Sequence, residues 1–296
     1  ALIAIVAVLL CQQMVVGQEQ SDSVYFQQDG METLRDPESL FRWSSDPWES
    51  PAVEYDRLTT DRPHLAEATS LVGRGHAQLE TGFSYSNDLS NGVRTQSYSF
   101  PEPLLRLGVL AEWFELRLGW NYLVSNQNPT LGAANTDDGS EDMYIGAKIA
   151  LFKQHGWLPD FTVFPQMNVP SGSNVYSADA VLPGVNLAYS WAVNRLIELE
   201  CNTVLSRQRD AARDFYFEVF QTVNLEWDLG ERWMGFTEYV LFHPNDSTVV
   251  TDQHYFHYGL HYFVTPKVQI DVHHAVGLNG AAADLAFTGI GLSVFR

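Results

Sequence analysis

Cysteine, lysine and long apolar runs are all scarce in this sequence, and each shortage narrows what the chain can be. The only cysteines are Cys11 and Cys201, so no framework of disulfides staples the fold. Lysine occurs only at Lys148, Lys153 and Lys267, and the formal net charge is −19. Nucleic acid needs a basic footprint that such a chain lacks. Beyond the first residues, no stretch is apolar for the roughly 20 residues that a spanning helix needs, which excludes a helical membrane protein. GxSxG, HExxH, CxxC, phosphate-loop and dinucleotide motifs are also missing. No catalytic residue, cofactor or metal is therefore assigned, and the expectation is a protein that is not an enzyme.

What is present begins with Ala1–Leu10, ALIAIVAVLL. A signal-peptide core is about 7–15 residues long, and this run fits that range. Gln12 and Gln13 end it, and Val15-Val16-Gly17 offers a cleavage site, so residues 1–17 are read as a signal peptide. Residues 18–58 are acidic, carry Pro37, Pro47 and Pro51, and keep no period. They read as a flexible segment, although Trp43 and Trp48 are unusual there.

From about residue 74 the chain alternates. In Glu112–Tyr122, Phe114, Leu116, Leu118, Trp120 and Tyr122 share one parity, while Glu115, Arg117, Gly119 and Asn121 share the other. Period two means a strand with one apolar and one polar face. The pattern recurs in about a dozen segments of about 10–16 residues, long for globular strands and suited to tilted membrane strands. Short connections at Lys153–Gly156, Val193–Asn194, Gly230–Glu231 and Thr265–Lys267 alternate with longer polar ones, including Asn87–Arg94 and Ser125–Gly139. Short turns at one end and long loops at the other are the layout of an outer-membrane barrel.

The fold class expected is therefore all-β: a closed antiparallel up-and-down transmembrane β-barrel of about 12 strands over residues 59–296. The charges lie on the polar parity, and twelve strands enclose more space than side chains fill easily. That parity should face a wet or plugged lumen, and the apolar parity should meet lipid. Aromatics near strand ends (Trp113, Trp120, Tyr122, Trp157, Tyr189, Trp191, Trp227, Trp233, Tyr239, Tyr255) fit interfacial girdles.

The candidate lumen and solute-path residues are Glu80, Arg106, Glu115, Arg117, Lys148, Glu198, Glu200, Glu218 and Asp271. They select solutes or pair structurally, and the sequence leaves both readings open. His257, His261 and His273 form a possible polar cluster with Asp271. A short Thr265–Lys267 turn sets His261 opposite Asp271 and Gly259 opposite His273. Imidazoles and a carboxylate suit a transition metal or a neutral-pH titration; ordinary lumen lining is the simpler reading. Asp61, Arg62 and Pro63 lie just before the first strand. Residues 59–73 are there either a periplasmic lead-in or a small plug in which Arg62 meets a lumen carboxylate.

Thr60-Asp61-Arg62-Pro63, then Glu67, then Gly75-His76-Ala77-Gln78-Leu79-Glu80-Thr81-Gly82-Phe83-Ser84-Tyr85 resembles the opening of the meta-pathway phenol degradation family. Asn168-Val169-Pro170-Ser171-Gly172 resembles a loop entry of that family, with Ser171 in place of Thr. The resemblance implies export, a barrel and uptake of small apolar or aromatic compounds, and it carries over no catalytic residues. The expected role is thus passive passage of small solutes through the outer membrane of a two-membrane bacterium, by a monomer in contact with lipid. The alternatives are a structural barrel with a closed lumen, or a barrel enzyme acting on lipid. The enzyme would need a Ser–His pair at the outer rim.

Overall fold

Period-two alternation becomes, in a computed structural model, fifteen antiparallel strand segments. They are β1 (Ala77–Ser90), β2 (Val93–Ser99), β3 (Leu104–Gly108), β4 (Phe114–Gly119), β5 (Tyr122–Pro129), β6 (Asn135–Ser140), β7 (Met143–Phe152) and β8 (Asp160–Val169). The remainder are β9 (Leu182–Asn194), β10 (Ile197–Arg209), β11 (Phe215–Asp228), β12 (Trp233–Asn245), β13 (Gln253–Thr265), β14 (Val268–Gly277) and β15 (Ala286–Phe295). The structure describes residues 57–296 except 91, 211, 246, 248, 249, 280, 281 and 283–285. The expected signal peptide and all but the end of segment 18–58, with Cys11, Trp43 and Trp48, lie outside the described residues.

Three barrel strands are broken in the middle. β2 pairs with the Ser84–Ser90 half of β1, and β3 pairs with its Ala77–Glu80 half. β5 and β4 continue those two halves, as do β6 and β7 in turn. Pro101 and Pro103 explain the first break, because neither carries an N–H for the ladder. At the next two, Asn121 and Glu141 meet: the Glu141 N–H donates to the Asn121 carbonyl at 2.9 Å, and Asn121 Nδ2 donates to Glu141 Oε2 at 2.9 Å. With each broken pair counted once, the barrel has 12 strands. It closes by β15 against β1, from Gln78 opposite Phe295 to Asn87 opposite Ala286. Closure removes the open edge that hydrocarbon cannot hydrate.

The hairpins at the long-loop end run further than hydrophobic alternation reaches. Much of Ser125–Gly139, expected as loop, is the β5–β6 hairpin, and β1 and β2 pair to within the Asn87–Arg94 connection. Beyond the bilayer both faces of a strand are wet, so the alternation fades while the ladder continues. At the other end, the turn after β13 contracts to Pro266-Lys267, with Val264 bulged out of the ladder.

Which face points outward is plain from burial. Leu79, Phe83, Phe256, Tyr258, Leu260, Ile270, Val272, Ile290 and Leu292 are exposed on the outside. The largest fully buried side chains include Arg106, Arg117 and Lys148. Buried cations inside a continuous apolar exterior invert the arrangement of a water-soluble protein. One aromatic departs from expectation. Tyr255, assigned to a girdle, is 2% exposed and points inward beside Phe242 and Phe287. Phe295 also points in and packs with Leu58, Val72 and Phe263 at the short-turn end.

Candidate functional site

Residues 57–76 precede β1 and form no strand. Their backbone groups, buried from water, need other partners, and the polar face of the wall supplies them. Asp61 N–H donates to Glu80 at 3.1 Å, and Leu65 and Ala66 N–H donate to Glu238 at 2.9 and 2.6 Å. Glu67 N–H donates to Asn202 at 2.6 Å, Val72 N–H to Glu115 at 2.9 Å and Arg74 N–H to Glu112 at 3.0 Å. Wall donors meet the carbonyls: Gln78 reaches Thr59, Arg106 and Lys148 reach Ser70, and Thr162 reaches Thr69. The segment thus threads the lumen, bonded to β1, β3, β4, β7, β8, β10 and β12.

Asp61 is its electrostatic centre. Its carboxylate lies 2.8 Å from Lys148 Nζ, 3.0 Å from Arg117 and 3.3 Å from Arg106. Burial alone would raise its pKa, and the charges of Arg106, Lys148 and Arg117 outweigh burial, so the carboxyl is held well below its ordinary value. The three cations have further partners. Arg106 forks onto Glu115 at 2.8 and 3.1 Å and reaches Glu80 at 3.1 Å, and Arg117 lies 2.8 Å from Glu67. Lys148 also donates to the Ala68 carbonyl at 2.9 Å and stands 4.9 Å from the Phe164 ring centre.

Arg62 fits a cleft made by missing side chains. Gly82 and Gly291 face each other across the closing seam. A Cβ on Gly82 would fall 2.2 Å from Arg62 Nη2, and one on Gly291 would fall 2.5 Å from Arg62 Nε. Only glycine admits a guanidinium so close to the wall. Arg62 pairs with Glu102 at 2.8 Å and stands 3.8 Å from Asp271. Pro63 is buried beside it.

On the opposite wall the charge is reversed. His64 Nε2 lies 2.9 Å from Glu226 and 3.7 Å from Glu200, while its Nδ1 donates to the Ala66 carbonyl. Burial pulls its pKa down; the hydrogen bond to Glu226 and the charges of Glu200, Glu226 and Glu238 outweigh that and hold it well above its ordinary value. His257 joins Glu238 at 2.8 Å through Nδ1 and His273 at 2.9 Å through Nε2. His261 stands opposite Asp271, and Gly259 opposite His273. His261 and Asp271 form no hydrogen bond with each other, and His261 Nε2 lies 3.8 Å from Glu226 instead.

Above the segment, toward the long loops, lies a cavity of about 300 Å³. Leu65 and Glu67 of the segment border it. Leu182, Val204, Phe220 and Phe242 form its apolar lining, and Gln166, Asn168, Asn186, Ser206 and Glu218 its polar lining. Phe220 and Phe242 lie 4.7 Å apart between ring centres, and Phe242 leads on to Tyr255 and Phe287.

The structure therefore gathers Glu80, Arg106, Glu115, Arg117 and Lys148 around Asp61. Glu200 and half-buried Glu198 lie together with Glu226, Glu218 borders the cavity, and Asp271 sits by Arg62. The polar cluster divides: His257 bridges Glu238 and His273, and His261 turns to Glu226. Sequence reasoning missed His64, Glu238 and the lumenal Phe220 and Phe242, and left Glu226 and Asn202, both on the polar parity, out of the candidate site. The inward parity of β11 runs Glu218, Phe220, Thr222, Asn224, Glu226, so the signal for Phe220 was present.

Residues 60–296 match the family described as "Putative MetA-pathway of phenol degradation". No curated protein matches the sequence at a significant level. Among solved structures the chain is similar to an outer membrane channel from Pseudomonas putida F1, at 10% identity and TM-score 0.57, over 83% of this chain and 99% of that one. It is also similar to the transport unit of the autotransporter AIDA-I from Escherichia coli, at 9% identity and TM-score 0.51, over 80% and 92% of the two chains. At such identities the likeness establishes the barrel fold.

Proposed function

Because the chain belongs to the family of the putative MetA-pathway of phenol degradation, we propose that it is a passive outer-membrane channel for small solutes, aromatic or otherwise apolar ones among them. The observation that carries this reading is the cavity above the segment. It joins a cluster of inward-facing aromatics to a few polar groups, the usual make-up of a small-molecule site. Its volume of about 300 Å³ admits a single-ring compound. The family description and the related P. putida channel point the same way.

A solute enters between the long loops, rests against Phe220 and Phe242, and meets Leu65 and Glu67 below. Passage then requires the segment around Asp61 to loosen, and the solute leaves at the short-turn end. Glu80, Arg106, Glu115, Arg117 and Lys148 act in this scheme by holding the segment, and Glu198, Glu200, Glu218 and Asp271 by setting the field along the path. The chain's role is selection and passage, with no bond chemistry.

A second reading, a closed structural barrel, is favoured by the ion pairs across the lumen. Single-channel recording in planar bilayers separates the two. Steps of current, with brief blocks when phenol is added on the loop side, support the channel. Phe220→Ala should weaken the phenol block severalfold, since an aromatic pair contributes about 0.5–1.5 kcal/mol. Absence of current at every voltage supports the closed barrel.

A further inference from the structure

We propose that His64, His261, Glu226 and Glu200 form a site for one divalent transition-metal ion, which fastens the lumen segment to the barrel wall. The inference is independent of what the barrel passes.

The ligand atoms already converge. One ring nitrogen each of His64 and His261 and a carboxylate oxygen of Glu226 lie within 4.8 Å of one another. The separate distances are 2.9 Å for His64–Glu226, 3.8 Å for His261–Glu226 and 3.7 Å for His64–Glu200. A four-coordinate zinc with bonds of about 2.0–2.2 Å holds its ligand atoms roughly 3.3–3.6 Å apart. The three separations each lie within about 0.7 Å of that range.

A second observation points into the same space. His261 is 2% exposed, and its ring nitrogens make no hydrogen bond of normal geometry. A buried imidazole whose ring nitrogens lack a well-formed hydrogen bond is costly, and the Glu226 carboxylate lies 3.8 Å from its Nε2. His64 is prepared for the same task. Its Nδ1 donates to the Ala66 carbonyl, which leaves Nε2 as the ligating atom, in the manner of metal-bound histidines. Glu200 is steadied by Asn224 Nδ2 at 3.0 Å, a supporting bond of the same kind.

Charge balance favours a cation here. The Asp61 side of the lumen carries Arg106, Arg117 and Lys148. Around His64 the basic side chains within 4 Å of Glu200, Glu226 and Glu238 are those of His64, His257 and His261, among the described residues. Glu198 adds a further carboxylate to the group of Glu200 and Glu226. One divalent ion would offset the surplus. Two imidazoles with carboxylates suit zinc and its first-row neighbours better than calcium or magnesium, which prefer all-oxygen shells.

The test uses the full folded chain in detergent, stripped with a chelator and then given Zn²⁺. Bound metal is measured by elemental analysis after desalting, and ligation by the visible bands of Co²⁺ in place of zinc. The expected result is about one equivalent per chain with tetrahedral cobalt bands. His261→Ala and His64→Ala should each weaken binding by tenfold or more. His64 lies outside the strands, so its variant keeps the barrel even if a wall variant does not fold. His243→Ala, at the exposed His243–Asp252 pair, is the control for adventitious binding and should change nothing. Absence of retained zinc in the wild type, or retention equal to wild type in His64→Ala, overturns the proposal. So does loss of the metal in His243→Ala alone.

Discussion

Asp61→Asn removes the charge on which the lumen segment turns while keeping the shape of the side chain. Three buried cations lose their shared partner, but they lose unequally. Arg106 keeps Glu115 and Glu80, Arg117 keeps Glu67, and Lys148 keeps the carbonyls of Ala68 and Ser70 and the Phe164 ring but no carboxylate within 4 Å among the described residues. Lys148, fully buried, becomes the uncompensated charge. Breaking a buried pair by removing one partner costs about 3–5 kcal/mol. Asn retains an acceptor for the Ala68 N–H, which places the expected loss toward the lower figure. About 3 kcal/mol multiplies the population of a loosened segment by roughly 10². Single-channel recording should therefore show open events far more often than in the wild type, while heat-modifiable migration and β-sheet circular dichroism stay unchanged. Lys148→Met added to Asp61→Asn removes the orphaned charge and should return much of the loss, an interaction that a double-mutant cycle reads directly. Open probability unchanged in Asp61→Asn, with the barrel intact, would refute the claim that this ion cluster holds the segment.

The same carboxylate sets an acid limb. Its pKa is lowered on folding, so its contribution is complete above the ordinary value near 4 and fades as pH falls toward the lowered one. Wild-type conductance should rise only below about pH 4 by this route, and an equally steep acid limb in Asp61→Asn would contradict it. On the outer face, Leu118 lies in a row with Leu105 and Ile145. Leu118→Arg should cost about 2–4 kcal/mol of membrane insertion if it sits near mid-bilayer, measured by urea titration in vesicles, and full tolerance would mean the face assignment is inverted.

Strand parity was legible because a pleated chain puts successive side chains on opposite faces whatever the fold. The placing of His261 opposite Asp271 was legible for a related reason: a short turn leaves the hairpin little freedom of register. The break at Pro101 and Pro103 could have been anticipated, since two residues without N–H groups stand two apart in one strand. The breaks at Asn121 and Glu141 could not, because the two bonds that mark them run between neighbouring strands and have no local sequence signal. Tyr255 was misplaced because its place near a strand end was read without its parity, which it shares with the inward His257 and His261. The segment's partners stayed hidden for a deeper reason. Residues 57–76 keep no period, so nothing local says which wall atom each group meets. Asp61 and Lys148 are joined only by the closure of the barrel. His64 and Glu226 are likewise far apart in sequence, and motif spacing has no hold on such pairs.

The central claim is that apolar side chains face lipid while polar ones face an occupied lumen. It is tested most directly on β10 by nitroxide labels placed singly at residues 203, 204, 205 and 206, in a Cys201→Ser background reconstituted in bilayers. Leu205 is exposed on the outside, whereas Val204 and Ser206 border the lumen cavity. Labels at 203 and 205 should collide with lipid-dissolved oxygen, and labels at 204 and 206 with a water-soluble nickel chelate, in strict alternation. Accessibility without that alternation, or with its sign reversed, would contradict the account.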